Sequence, residues 1–595
     1  MSERLTKVLV EPIGVTVAVS PGRTLLDALT TAAVSVSADC HGRGTCGKCL
    51  VRPGAGQVTP PTDIERDRLT VAQIAEGWRL ACQTSPLSSS VSIEVRQTRG
   101  RRQILTASRL RHGAVRPAVG KGLVELPPAT LGDARSDEVR LRDAMAGVDI
   151  PLSVIRRLPS TLRAGEWRAL VTRRGRRVID VESADAGTGA YGAAVDIGTS
   201  KIVVYLFDLL TGRHIDQEAL ENPQMRFGED VVTRIAQALD GGLEGLTQAV
   251  RGGINEALER LYVRQGIRPR LLCDMTVVAN TAMHHLALGI SPEGLSGAPF
   301  APAVDRALDV RAADLALNMN AEASVHFLPP IAGFVGSDAL AVVAATRLTS
   351  RRLPCLAIDI GTNTEISLSA GGVVTVTSCA SGPAFEGYQI THGMKAVEGA
   401  IERTNISGDG RVTSIATIGG AAPLGICGSG VVDVLAGLRR AGVVDRTGRM
   451  VHHARVRSGH SGLEYVVATG PGGDIVFTQQ DVRALQLAKG AIAAGWSLLL
   501  RHVGLRPEDL HRVFVAGAFG NYLDVQHSLA LGLLPPVPPA RVSFVGNAAG
   551  VGAQMALVDV RARRRMARLR SRIEFLELAT HGDFHEEFSS RLGFE

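Results

Sequence analysis

The chain has 595 residues, 45% of them hydrophobic and 21% charged, with a formal net charge of +7. That length exceeds what one hydrophobic core supports and points to three or four compact units, and the composition excludes a disordered chain. No run approaches the roughly 20 apolar residues of a membrane-spanning helix, MSERLTKVLVEPIG lacks a signal-peptide core, and the basic residues form no nucleic-acid module; a cytoplasmic protein binding neither membrane nor nucleic acid is expected.

Residues 1–95 begin with strand-like alternation in KVLVEPIGVTVAVSPG, pass through a helix in TLLDALTTAAV and a cysteine loop, and close on a strand, SVSIEV. Strand, hairpin, helix, ligand loop and returning strand is the order of a β-grasp fold. Four of the eight cysteines fall here, whereas Cys273, Cys355, Cys379 and Cys427 are scattered singly and read as small buried hydrophobes. The spacing is Cys40, five residues, Cys46, two residues, Cys49, then 32 residues to Cys82. Three thiolates on one glycine-rich loop wrap one side of a cluster, and Cys82 completes the four metal ligands of a [2Fe–2S] centre. Gly42, Gly44 and Gly47 are expected to supply positive φ angles and close backbone approach. A structural zinc site is the alternative, but it takes paired C-x-x-C knuckles that Cys40 and Cys82 do not complete.

Residues 96–121 hold Arg96, Arg99, Arg101, Arg102 and further basic residues through Lys121 with no acidic residue, a solvated linker or a tether steering toward an acidic partner. Residues 122–188 read as a small middle α+β domain: two short helices, then a hairpin with turn signals at Ala164-Gly165 and Arg174-Gly175. It has no catalytic constellation, so a spacer or dimerisation module is expected.

From 189 to 595 a theme repeats. AAVDIGTSKIVVYLFDLLTG and, about 160 residues later, LAIDIGTNTEISLSAGGVV each place a strand, an Asp-Ile-Gly-Thr turn and a second strand in succession, which implies two related lobes facing across a cleft. Asp196 and Asp359 stand at strand ends as candidate holders of Mg²⁺ through water. Gly198, Thr199, Gly361, Thr362 and Asn363 form turns whose amides and hydroxyls suit phosphate oxygens. VFVAGAFGNYL enters a turn at Gly517 and Gly520 that leaves room for adenine and ribose; the alternative is only a tightly packed turn. GICGSG places Gly428, Ser429 and Gly430 at the start of a helix, whose free N–H groups suit a phosphate. TQQDVRALQLAKGAIAAGWSLLL starts on a capping pattern, Thr478 to Asp481, and is expected to be a long core helix.

Asp196, Asp359 and the Gly517 turn resemble the sugar-kinase/Hsp70/actin superfamily. The whole chain resembles the reductive activators of corrinoid-dependent enzymes, through CHGRGTCGKC, the paired Asp-Ile-Gly-Thr turns, SGPAFEG at Ser381 to Gly387, GICGSG, FVAGAFGNYL, FVGNAAGVGA and EFLELATHGDFHEEF. The resemblance implies a multidomain α/β protein: an N-terminal β-grasp [2Fe–2S] ferredoxin, the middle domain, and a two-lobed actin-like ATPase of ribonuclease H-like topology. It implies ATP-dependent one-electron reduction of an inactive Co(II) corrinoid to Co(I), with Asp196 and Asp359 organising Mg²⁺ and attacking water and Ser381 a candidate for approaching the cobalt or for a turn. The partners implied are a corrinoid protein or cobalamin-dependent methyltransferase, a ferredoxin or NAD(P)H-linked electron donor, and a second copy of the chain in a homodimer. A ferredoxin-fused small-molecule kinase and a non-catalytic redox-sensing switch are the competing functions.

Overall fold

The computed structural model describes the chain except residues 1–4, 12–13, 32–33, 35, 37–41, 43, 45–46, 48, 96–113, 187–188, 460–461, 518–522 and 595. Cys40, Cys46, Gly520 and most of the basic segment therefore lie outside the described residues.

The alternation of the first residues becomes a sheet with one buried face. Thr6–Glu11 pairs antiparallel with Val15–Val19 and parallel with Ser90–Val95, while Leu50–Pro53 bridges Ser90–Val95 to the short strand Arg79–Leu80. Val8, Val10, Val91 and Ile93 point to one side and pack on Leu25 and Leu29 of the helix Leu25–Thr31. This five-stranded sheet and its own core form the β-grasp unit that the sequence suggested.

The next unit differs in detail from the expectation. Val119–Glu125, Arg168–Arg174 and Arg177–Ser183 make a three-stranded antiparallel sheet, with the turn at Gly175 closing the hairpin. Three helices rather than two precede that hairpin, Asp137–Ala144, Leu152–Ile155 and Leu158–Ala164. Gly165 caps the third of them and is not a hairpin turn, because its amide is spent on the Thr161 carbonyl.

Two six-stranded sheets follow, and five strands of each share one plan. In the first, His214–Glu221, Lys201–Asp208 and Tyr191–Ile197 are antiparallel neighbours, and Leu272–Ala279 and Ser324–Phe327 continue the sheet in parallel with Tyr191–Ile197. In the second, Val373–Cys379, Thr364–Ala370, Cys355–Asp359, Arg512–Ala516 and Val542–Gly546 repeat the same order and senses. Numbered by order within each half, both read 3-2-1-4-5. The extra strands Leu308–Arg311 and Ile573–Phe575 extend opposite edges of that plan.

Between the sheets lie two helices at equivalent places in the halves, Ser337–Ala345 and Ala548–Val558. They share one core with Val203, Tyr205 and Phe207 of the first sheet and Ala357, Val374 and Val376 of the second. Gly552 brings them close: a Cβ there would meet the Ala341 Cβ at 2.4 Å. The helix Gln479–Val503 carries the capping box read from sequence, with Thr478 and Asp481 exchanging side-chain-to-backbone bonds, and fills the second lobe's outer core. Among the described residues, no helix is long and apolar enough to cross a membrane.

Candidate nucleotide cleft and cluster loop

The repeat sets the two Asp-Ile-Gly-Thr turns at the ends of equivalent strands, so they approach one another across the interlobe cleft. Ser200 Oγ and Thr362 Oγ1 lie 3.4 Å apart. The cavity around them, about 220 Å³, is lined from the first lobe by Asp196, Gly198 and Thr199 and from the second by Asp359, Gly361, Thr362 and Asn363. Gly428 and Ser429, at the start of the helix Gly428–Arg440, and Gly517 complete the sequence-derived set. Gly517 has φ +96°, and a Cβ there would sit 2.4 Å from the Ile360 carbonyl oxygen, so only glycine fits.

Two sequence-derived candidates stand apart from the lining. Gly430 is packed in the helix, where a Cβ would strike the Ile401 carbonyl oxygen at 2.3 Å. Ser381 is 5% exposed, shares a 2.8 Å hydrogen bond with Thr364 Oγ1 and lies 3.0 Å from the Gly361 carbonyl oxygen, one layer behind the second phosphate turn.

The structure also adds groups that sequence reasoning missed. Asp338 lines the cleft from the first turn of the helix Ser337–Ala345, and Glu365 faces Asp359 across the hairpin that follows the second turn. Asn547 donates to Asp196 Oδ2 at 2.8 Å and to the Tyr205 hydroxyl at 3.1 Å, while its Oδ1 caps the helix Ala548–Val558 through Gly550 N–H. Asn280 donates to Thr199 Oγ1 at 3.1 Å. Lys395 lines the second lobe and forms an ion pair with Glu221 of the first. FVGNAAGVGA contained the Asn547 signal, an Asn before a small-residue helix. Asp338 had only a Gly-Ser-Asp helix start to mark it.

Burial pushes Asp196 up to about 6, against the bond from Asn547, and raises Asp338 to about 7. Asp359 rises to about 8, through burial first and then repulsion from Asp338 and Asp196, and Glu365 rises for the same kinds of reason. Among the described residues no three His, Cys, Asp or Glu side chains converge tightly enough to chelate a metal directly. The carboxylates instead surround a space that fits a hydrated divalent cation with phosphate oxygens, since Mg²⁺ keeps several waters and takes few protein ligands. Amide-rich turns, a helix N-terminus and shared negative charge give the cleft the chemistry of a Mg²⁺–nucleotide site.

In the β-grasp unit, Cys49 and Cys82 are buried beside Gly42, Gly44 and Gly47, whose φ angles are +84°, +76° and +68°. A hydrogen bond with Cys49 is the first cause lowering the Cys82 thiol to about 6, and bonds from the Gln83 side chain and the Gly44 amide add to it. A Cβ on Gly44 would fall 2.6 Å from Ile64 Cγ2, so the loop closes this tightly only with glycine. Arg79, two strand residues before Cys82's turn, grips the buried Glu65 carboxylate through Nε at 3.0 Å and Nη2 at 2.8 Å, while the Leu80 amide binds the same group. These contacts fix the Cys82 turn beneath the loop, and a thiolate-favouring, amide-lined cradle of this kind fits a [2Fe–2S] group.

Fold and site together define the class: a two-lobed actin-like nucleotide-binding body joined to a [2Fe–2S] ferredoxin. Family models match in the same order, a 2Fe–2S iron–sulfur cluster binding domain over residues 8–87, the RACo linker region over 108–187, the RACo middle region over 191–351, and the C-terminal ASKHA domain of RACo over 354–595. The chain is 37% identical over 402 residues to the corrinoid activation enzyme RamQ of Eubacterium limosum, covering 65% of this chain and 67% of that protein. It is 28% identical over 251 residues to the [Co(II) methylated amine-specific corrinoid protein] reductase of Methanosarcina barkeri, covering 38% of this chain and 44% of that protein. A solved structure, the reductive activator for corrinoid, iron–sulfur protein, aligns over 99% of this chain and 98% of its own at 34% identity with a TM-score of 0.75. The chain belongs to the RACo family.

Proposed function

We propose that the chain is an ATP-hydrolysing reductive activator that takes the inactive Co(II) corrinoid of a partner corrinoid protein or methyltransferase to Co(I). The observation that carries the reading is the union, in one chain of this family, of a cysteine cradle for one-electron chemistry and an interlobe carboxylate cleft for nucleotide. Cys40, Cys46, Cys49 and Cys82 would hold the [2Fe–2S] group, which would supply a single electron. A gap of about 100 mV would make that step cost about 2.3 kcal/mol, well within what ATP turnover provides.

The protein's own groups divide the remaining work. The amides of both Asp-Ile-Gly-Thr turns and the N-terminus of Gly428–Arg440 receive phosphate oxygens. Asp196, Asp338 and Asp359 would hold hydrated Mg²⁺, and Asp359 or Asp196 would orient the attacking water for in-line transfer. Asn547 fixes the Asp196 carboxylate from the interlobe helix, so closure of the lobes and alignment of that carboxylate are one event. Ser381 is proposed to reach the cobalt after its loop turns outward and releases Thr364. Electrons come from a ferredoxin or an NAD(P)H-linked reductase, and the cytoplasm is the proposed compartment, in keeping with the buried thiols Cys273, Cys355, Cys379 and Cys427.

The test is an absorbance assay of cobalt with a panel of Co(II) corrinoid proteins. Co(I) is expected to accumulate only with ATP, Mg²⁺ and a reductant present, and the corrinoid protein is expected to speed ATP hydrolysis. Asp359→Ala is expected to abolish the ATP-dependent step, and Ser381→Ala to slow it with ATP binding unchanged. An ATPase rate and cobalt spectrum indifferent to every corrinoid protein, with phosphorylation of a sugar instead, would establish the kinase reading.

A further inference from the structure

A second concavity, about 590 Å³, lies at the far ends of the two interlobe helices and shares no lining residue with the nucleotide cleft. Asp338 and Ala549 line the nucleotide cleft near the starts of these helices; Ala344 and Met555, six residues further along each, line the groove. That separation is about 9 Å of helix. The groove's floor is apolar, from Met555, Met566 and Leu569, and its walls are basic.

Three of the five groove arginines come from one stretch of chain. Between Asp559 and Glu574 there are seven arginines and no acidic residue. Arg563 is buried against Asp274 and Arg570 pairs with Asp305, so these two serve the fold. Arg565 and Arg568, three residues apart on one face of the helix, and Arg572 in the turn that follows it are exposed along the groove, and Arg116 and Arg347 approach from the other elements lining it. Against five guanidinium groups the lining offers one carboxylate, Asp559, which is partly engaged by Arg565 at 3.3 Å and caps the helix Val560–Arg570.

Exposed arginines around an apolar centre are the anatomy of a protein interface, whereas a small-anion site is built from buried, fixed donors. We propose that this groove docks an acidic electron-carrier protein. Charge selects the acidic partner. Position selects the electron carrier: Ala114 on the groove rim is where the chain coming from the ferredoxin unit re-enters the described body. The 18 residues from 96 to 113 have a contour of at most about 65 Å, so a carrier seated here lies within the ferredoxin's range. The Ser381 loop, proposed above for the corrinoid, lies behind the nucleotide cleft at the other ends of the helices. This proposal is one of docking and rests on the activator reading for its choice of partner.

The experiment titrates the intact, cluster-loaded protein with an acidic two-cluster bacterial ferredoxin by calorimetry, at low and high salt. Arg568→Glu/Arg572→Glu is expected to weaken the dissociation constant at low salt by about tenfold or more and to flatten its salt dependence. Arg568→Gln/Arg572→Gln is expected to fall between, with cluster absorbance and ATP affinity unchanged in both. Equal affinity in wild type and variants, or no ferredoxin binding by the wild type, overturns the proposal. So does weakened affinity for a Co(II) corrinoid protein with ferredoxin affinity intact, which would give the groove to that partner. Failure of the activator reading is read separately, as absence of Co(I) with dithionite as reductant, an assay that needs no carrier.

Discussion

Asp196, Asp338 and Asp359 hold their protons further up the pH scale than ordinary carboxylates because they are deep in a cleft and face one another. In the folded, metal-free protein they bind protons that the unfolded chain has already released, so stability is lost as pH rises through their folded values. Two of those values are about 7 and about 8, which sets the window. Because the loss is already under way below those values and is over once the pH passes the highest of them, the melting temperature without nucleotide or divalent cation is expected to drop by a few degrees between about pH 6 and about pH 8. Asp338→Asn should reduce that slope, and Mg²⁺–ATP should flatten it by neutralising the shared charge. A chelator-treated wild type with a pH-independent melting temperature across the window would show that these carboxylates are not coupled as the geometry requires. Asp196 and Asp359 were legible in sequence because each precedes a glycine turn after an apolar strand. Asp338 and Glu365 were not, since neither sits in a phosphate turn: Asp338 reaches the cleft on an interlobe helix, and Glu365 from the strand after the second turn, opposite Asp359.

At the scale of elements, local patterns were readable and their assembly was not. The capping box of Gln479–Val503, the Gly-Ser-Gly helix start and the strand before Gly517 all follow from short-range chemistry. The 3-2-1-4-5 order depends on Arg512–Ala516 returning to pair with Cys355–Asp359, a contact across about 150 residues that no periodicity encodes. The third short helix was missed because Gly165 carries a turn signal that serves a helix end as readily as a hairpin. The meeting of the interlobe helices likewise depends on one small residue. A methyl at Gly552 would strike the backbone and Cβ of Ala341, so Gly552→Ala is expected to lower stability by about 1–3 kcal/mol as overpacking does. Gly252 provides the contrast, being in the helix Leu243–Gln265 with nothing within 4 Å of an added Cβ; Gly252→Ala is expected to raise stability by about 0.5–1 kcal/mol. Denaturant unfolding of both variants decides the matter, and equal effects of the two would mean that helix propensity, not contact between the lobes, governs position 552.

Across the whole molecule, the ferredoxin and the nucleotide body keep separate sheets and separate cores, whereas the unit that follows the basic segment is tied to the first lobe by pairs such as Arg270 to Asp180 at 2.7 Å and Arg174 to Asp309 at 2.7 Å. Electron delivery and nucleotide chemistry are thereby assigned to bodies that fold around different residues. Cys82 belongs to the core of the first body, at 6% exposure, held under the glycine loop by the turn that Glu65 and Arg79 fix. Removing its thiol leaves three of the four ligands a [2Fe–2S] group takes, so Cys82→Ser is expected to lose the reddish-brown absorbance and most of the roughly two irons and two sulfides per chain. The lobes do not draw on that group for their packing. Saturating Mg²⁺–ATP at about 100 times its dissociation constant stabilises a one-site body by about 2.7 kcal/mol, and the variant should retain that ligand-induced shift along with basal ATP hydrolysis. Collapse of the nucleotide-induced shift in Cys82→Ser would mean that the ferredoxin is a structural part of the ATPase body, and the two activities would then have to be treated as one cooperative unit.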